Sequence, residues 1–270
     1  MAGVLDGKVA IVTGSTRGIG RAIAEEYASA GAKVVVHGTN KERAAEAAAK
    51  IRSAGGTCES CLGDVADEAF APRLVKFAVD TFGGVDILVA NAGMSTLEPF
   101  LTMSHPTWRR FLDVHVSGTF YCGQAAAQRM VEQKRGGRIL NMSSVAGMFG
   151  NAGFTAYATV KAAVVGLTRV QAVELADHKI TANALMPGPV WNEMMEELWG
   201  PERLAERCKT IPLGRLATGQ EVAKAALFLA SPGAGCITGQ TVVIDGGASA
   251  AGLYAHEVFK RHSAGAETKK

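Results

Sequence analysis

Residues 8–20 read KVAIVTGSTRGIG. Val9 to Val12 form an unbroken apolar run, the pattern of a parallel strand buried on both faces. Gly14, Gly18 and Gly20 follow, and a helical pattern opens behind them. Glycines at these places let the backbone turn tightly, approach a pyrophosphate and pack a helix on a sheet. The helix that begins there offers free N–H groups and a positive dipole end to phosphate. Glycine serves any tight turn. Between a strand and a helix, this cluster points to a bound dinucleotide.

The same alternation continues along the chain. Strand-like runs are expected at 9–13, 33–37, 57–62, 86–90, 138–142, 181–186 and 241–245. Helical patterns stand between them at 19–30, 41–54, 67–82, 106–134, 156–176 and 219–230. Strand and helix alternating this often predict an α/β fold, a doubly wound (Rossmann) parallel sheet of about seven strands with helices on both faces. Residues 1–250 read as a single NAD(P)-binding domain and 251–270 as a polar tail. One segment is out of step: about 188–212, rich in proline and tryptophan, is too long for an ordinary connection and reads as a partly helical substrate lid.

Composition narrows the class. The 270 residues are 48% hydrophobic and 20% charged, with a net charge of +3, which describes a globular protein. With no Lys/Arg block in the globular part and aromatics at 6%, nucleic acid is not an expected partner. No stretch approaches the ~20 apolar residues that span a bilayer, so no membrane is expected either. The first apolar run is too short for a secretory signal, and the five cysteines are an odd number; a reducing cytoplasm follows as the expected compartment. Cys58 and Cys61 form a lone CxxC with no second ligand pair, so no metal site is expected.

The stretch TAYATVK, 155–161, sets Tyr157 four residues before Lys161, on one face of a helix. Either the two lie along a helix surface, or the ammonium lowers the phenol below its usual value of about 10 so that it moves protons. The stretch RILNMSS delivers Ser143 and Ser144 upstream of them.

Taken together the motifs resemble the short-chain dehydrogenases/reductases, with similarity to their 3-oxoacyl-carrier-protein reductases and to sugar and sterol dehydrogenases. The marks stand in the family's order over residues 6 to about 248: the GxxxGxG turn, Asp64-Val65, Asn91-Ala92-Gly93, Ser144 with Tyr157 and Lys161, and Pro187-Gly188. The resemblance implies an oxidoreductase that interconverts a small-molecule carbonyl and a secondary alcohol by hydride transfer. It implies that Tyr157 is the acid/base, that Ser144 binds the substrate oxygen and that Lys161 holds the nicotinamide ribose. It assigns to the dinucleotide Gly14, Ser15, Arg17, Gly18, Ile19 and Gly20 of the turn, then Gly38, Thr39 and Asn40, then Asp64 and Val65. Asn91, Ala92 and Gly93 of the next loop complete it, with Tyr157, Lys161, Pro187, Gly188 and Val190.

His115 departs from the pattern. It stands in DVHVSG where the family has an Asn that distorts the helix and anchors a water relay to the lysine. It is expected either to serve that relay, adding a near-neutral pH dependence, or to be a hydrogen-bonded structural histidine.

NAD-preferring relatives carry an acid where this chain has Gly38, and Arg17 is placed to pair with a 2′-phosphate. NADP(H) is therefore expected over NAD(H), although Thr39 stands where an arginine is common. On the substrate side Ser95, Phe149, Phe154, Trp191 and Met194 are candidates. Trp191, Met194, Met195 and Leu198 form an apolar stripe suited to a hydrophobic or cyclic carbonyl compound, and Asn192 stands where relatives often have Thr. The family's habit of pairing two long helices between subunits implies a homotetramer. The alternatives are an NAD-dependent alcohol or sugar dehydrogenase of the same family, or a dinucleotide-binding protein with impaired catalysis. The extended branch of the superfamily is disfavoured by the glycine spacing and the chain length.

Overall fold

The computed structural model describes residues 3–191 and 193–251, the backbone alone over 193–199. In chain order the strands are β1 (Val9–Val12), β2 (Lys33–Gly38), β3 (Thr57–Leu62), β4 (Ile87–Ala90), β5 (Gly137–Met142), β6 (Ile180–Pro187) and β7 (Thr241–Ile244). The helices are α1 (Gly18–Ser29), α2 (Lys41–Ser53), α3 (Phe70–Phe82), α4 (His105–Phe111), α5 (Gly118–Gln133), α6 (Thr155–Glu174), α7 (Glu193–Lys209) and α8 (Gly219–Ala230).

All seven strands run parallel in the order β3-β2-β1-β4-β5-β6-β7. The chain winds outward from β1 to β3, then crosses back to β4 on the other side of β1. Ligands of open α/β sheets bind at such a reversal, beyond the carboxyl ends of the strands. The registers Ala10↔Val34 and Ala10↔Ile87 bring the end of β1, and so the glycine turn, between the ends of β2 and β4.

Period-2 alternation explains the two cores. Ala10, Val12, Val34, Val36, Ile87 and Val89 pack on one face, against Ile23 and Tyr27 of α1 and Val222 and Leu229 of α8. Val9, Ile11, Val35 and Leu88 pack on the other, against Phe70 and Leu74 of α3 and Ala126 and Met130 of α5. Both faces of the central strands are buried, which is why their sequence shows no polar side.

Two expectations change. The helix expected at 106–134 is three pieces: α4, capped by the Ser104 hydroxyl, then a π-turn at Leu112–Ser117, then α5. The helix expected from residue 67 begins at Phe70, because the Asp67 carboxylate accepts the Ala69 N–H at 3.0 Å and holds a turn first. Cys58 and Cys61 both lie within β3, as separate free thiols. The segment expected to form a lid is helical as α7, broken at Gly200, where φ is 67°. Asn192 and the tail beyond residue 251 lie outside the described residues. Among the described residues no helix is long and apolar enough to cross a membrane.

Candidate active site

Gly14 turns the chain at φ 63°, and a Cβ there would stand 2.7 Å from the Ala92 Cα. Asn91 locks this turn from the neighbouring strand end. Its amide donates to the carbonyls of Thr13 and Gly14 at 2.9 and 3.0 Å, and packs against Gly20 where no Cβ fits. The Thr13 hydroxyl in turn accepts the Asn91 and Ala92 N–H groups at 2.9 and 3.0 Å. The two loops are therefore one hydrogen-bonded unit. Ser15 is buried and donates to the Val12 carbonyl at 2.6 Å.

Behind this unit α1 begins with no side chain capping its first N–H groups, and Arg17 at its N-cap is exposed. By contrast Asn40 and Thr218 cap α2 and α8. A close-packed glycine turn leading into an open helix terminus is the cradle a dinucleotide phosphate fits. A Cβ at Gly38 would meet the Thr16 methyl at 2.5 Å, so the place of the usual NAD-binding acid is filled from across the turn. The Asn40 side-chain oxygen caps α2, accepting the Arg43 N–H at 2.8 Å. Thr39 is exposed.

Asp64 and Val65 follow β3 on the far side. Asp64 accepts Ala66 N–H at 3.0 Å and Arg110 at 2.7 Å. Burial raises its pKa, but these two donors outweigh it and hold the carboxyl below its ordinary value. Val65 packs on Gly118 of α5. Gly188 donates its N–H to Ile244 at 2.9 Å, and Val190 bridges to Ala217.

Ser144, Tyr157 and Lys161 converge beside this cradle. Ser143 is turned inward, donating its hydroxyl to the Lys161 carbonyl at 2.8 Å, while Ser144 faces the Tyr157 phenol. Lys161 is buried, donates to the Met142 carbonyl at 2.7 Å and lies 5.5 Å from the centre of the Tyr157 ring.

The electrostatics correct the expectation from TAYATVK. Burial pushes the Tyr157 phenol above its ordinary value, and only the Ser144 hydroxyl opposes it. Lys161 responds more: burial pushes its ammonium down to about 7. The protein alone therefore keeps the phenol protonated and makes the lysine the group that titrates near neutrality.

His115 sits within the π-turn, buried, with its ring 5.9 Å from that of Tyr157 and edge-on to it. Its Nε2 lies 3.1 Å from the Met94 N–H nitrogen and 2.9 Å from the Met94 oxygen, and Nδ1 is buried with no hydrogen-bond partner among the described residues. A Cβ on Gly93 would stand 2.5 Å from the ring. Burial, and then the Lys161 charge, push the imidazole down to about 3. A near-neutral inflection from His115, expected from the sequence, is thus removed: the ring is neutral at any physiological pH.

On the substrate side Phe154 stands 5.6 Å from the Tyr157 ring, and the Glu98 N–H donates to the Gly153 carbonyl, which ties the loop after β4 to the loop after β5. Leu97, Phe100, Met148, Phe149, Trp191 and Leu213 are exposed apolar side chains on the segments that follow β4, β5 and β6. Ser95 is exposed as well. Trp191 precedes α7 instead of beginning its stripe; the Met194, Met195 and Leu198 side chains lie outside the described residues. Sequence reasoning passed over Thr13, Met94 and His37. The signal for His37 was available: it is a polar residue directly after the apolar run Val34–Val36 of its strand.

Known proteins resemble this arrangement over almost the whole chain. Residues 14–249 match a family model described as enoyl-(acyl carrier protein) reductase. The chain is 41% identical over 245 residues to the 3-oxoacyl-acyl-carrier-protein reductase FabG of Aquifex aeolicus, covering 90% of this chain and 98% of that one. It is likewise 41% identical to the short-chain reductase protein NovJ of Streptomyces niveus, covering 88% of this chain and 93% of NovJ. Among solved structures, a gluconate 5-dehydrogenase from Burkholderia cenocepacia in complex with NADP and tartrate superposes with a TM-score of 0.85 at 34% identity, covering 91% of this chain and 96% of that chain.

Proposed function

This chain belongs to the short-chain dehydrogenase/reductase family of oxidoreductases, and from that premise we propose that it uses NADP(H) to interconvert an apolar carbonyl compound and its secondary alcohol. The observation that carries this reading is the meeting of Ser144, Tyr157 and a buried Lys161 beside an uncapped helix terminus.

The nicotinamide, when bound, supplies or accepts the hydride. The chain's own groups manage the proton and the positioning. Tyr157, kept protonated by burial, donates from its phenol oxygen to the carbonyl oxygen as that oxygen gains charge. Ser144 donates to the same oxygen and orients it. Lys161, when charged, steadies the phenolate left behind. A phenol held neutral is a proton donor near pH 7, which supports reduction as the favoured direction. The Gly14–Gly20 turn, Asn91 and the α1 terminus hold the phosphates, and Asp64-Val65 flank the adenine. His115 holds the Met94 backbone, and the ring takes the place of the family's Asn without adding a charge.

Arg17, exposed at the α1 terminus, and Gly38, without a carboxylate, support a 2′-phosphate. The bare apolar side chains around the cleft, and the absence of a charged residue from 145–155, support a neutral hydrophobic substrate. A cytoplasmic location agrees with five free thiols. The α6 stripe of Ala162, Gly166, Val170 and Val173 is exposed, as is Phe120 on α5, and this supports pairing of these helices in a homotetramer. Sedimentation equilibrium giving a monomer would remove that part of the reading.

Nicotinamide absorbance against a panel of neutral alkyl and cyclic ketones, hydroxylated ketones and keto acids tests the function. We expect turnover with NADPH, greatest for the apolar ketones, and a kcat/KM for NADPH at least about tenfold above NADH. Arg17→Ala should erase most of that ratio, since a charge-assisted pair contributes about 1.5–3 kcal/mol. No turnover of any carbonyl or alcohol defeats the reading, and a preference for NADH defeats the role of Arg17.

A further inference from the structure

We infer that His37 is a positioning residue for the dinucleotide: a neutral imidazole clamp that joins the phosphate turn to the adenine wall and lets go on protonation. The inference rests on the dinucleotide reading above and on four polar contacts made by one buried residue. His37 is 2% exposed at the penultimate position of β2. Its Nδ1 accepts the Gly14 N–H at 3.0 Å, and its Nε2 lies 3.0 Å from the Gly63 carbonyl. Its backbone N–H donates to the Ser15 hydroxyl at 3.0 Å, and its carbonyl accepts the Ser15 N–H at 2.9 Å. The Ser15 hydroxyl donates to the Val12 carbonyl.

These partners determine the tautomer. Nδ1 must carry a lone pair to accept from Gly14, so the single ring proton sits on Nε2 and is donated to Gly63. Gly14 belongs to the turn that cradles the phosphates, and Gly63 is the residue before Asp64 and Val65. One ring therefore sets the separation of the two halves of the adenosine-diphosphate site. A second proton would land on Nδ1 and set two donors, that N–H and the Gly14 N–H, against each other at 3.0 Å. The clamp then opens at Gly14, the residue whose close approach to Ala92 leaves no slack.

The groups around the ring agree with a neutral histidine. On α3 the Phe70 ring lies 5.0 Å away, with Arg73 over that ring. The cross-strand neighbour in β3 is Cys61, a thiol held protonated by burial. The one charge acting on His37 is Asp64, itself paired with Arg110. Burial lowers the imidazole pKa and outweighs both Asp64 and the Gly63 bond. With a folded value below the unfolded 6.5, the neutral clamp is intact above pH 6.5 and is lost as the pH falls through the lower, folded value.

Two near-isosteric variants separate the halves of the clamp. His37→Asn keeps an acceptor close to Nδ1 and cannot titrate; His37→Gln reaches toward Gly63 and leaves Gly14 without a partner. Calorimetric titration with NADP+, from pH 8 to pH 5, should show the Asn variant binding within about threefold of wild type at pH 8. The Gln variant should bind about tenfold more weakly. As the pH falls through the ring's lowered folded value, the wild type should lose affinity that His37→Asn keeps, the difference cancelling protons taken up elsewhere. In the wild type, 15N NMR of the ring should show an Nε2–H tautomer whose pKa falls when NADP+ binds, because binding and protonation exclude each other. A bystander imidazole would instead be raised by an anionic ligand. Parallel pH dependence of wild type and His37→Asn, or a raised ring pKa in the complex, overturns the clamp. Wild type that binds neither NADP+ nor NAD+ overturns the dinucleotide reading itself, and the clamp with it.

Discussion

Tyr157→Phe is expected to lower kcat by about a thousandfold while leaving the dinucleotide Kd within about threefold, because a positioned proton donor contributes roughly 10²–10⁴. The substitution removes one oxygen from a ring that otherwise stays packed against His115, Phe154 and Lys161. Folding should be unharmed: the oxygen's one interaction among those described is with the Ser144 hydroxyl. Stopped-flow turnover on the best ketone of the panel, with ligand titration alongside, separates the two effects. A variant that retains more than about a tenth of wild-type kcat, with chemistry rate-limiting, would hand the proton to another group. Lys161, which burial brings to about 7, would be the first to examine.

The second large effect lies in the hinge between the two loops. Asn91→Asp keeps the shape of the side chain but replaces an amide donor with a carboxylate. Two carbonyls, those of Thr13 and Gly14, then face an acceptor at about the distances where they now face a donor. Leaving such groups unpaired costs about 1–3 kcal/mol each, and the added charge sharpens the loss. Since Asn91 also packs on Gly14 and Gly20, the glycine turn should loosen along with the fold. We expect a fall in Tm of roughly 5–10 °C at about 2–4 °C per kcal/mol, and NADP+ affinity at least about tenfold weaker. Thermal melts and calorimetry read both. Asn91→Asp with wild-type affinity would mean that the turn holds its shape without the amide.

Much of this was legible along the chain because its causes are local. The apolar run at Val9–Val12, the glycines that follow and the four-residue step from Tyr157 to Lys161 each speak for themselves. A strand buried on both faces has no polar side to hide, and a helix puts i and i+4 on one face wherever it sits. Reading the helix at 106–134 as a single element failed for a related reason. Residues 112–117 have ordinary helical character; the resemblance implied a distortion at His115, and the structure gives it as a π-turn whose ring holds the Met94 backbone. The use of the Asn40 oxygen as the α2 cap was likewise hidden, since the Arg43 N–H it accepts is free only once the helix has formed.

The sequence by itself determined the order of strands and helices, the place of the glycine turn and the residues that meet at the carboxyl ends of the sheet. Tertiary structure alone decided the charges those residues carry. Tyr157 is pushed up instead of down, Lys161 falls to about 7 and His115 to about 3, because burial removes water from all three at once. It also decided that His37 spans Gly14 and Gly63, two glycines 49 positions apart in the chain. Propensity acts between neighbours, whereas desolvation and hydrogen bonding depend on which distant groups the fold brings within a few ångströms and how much water it leaves them.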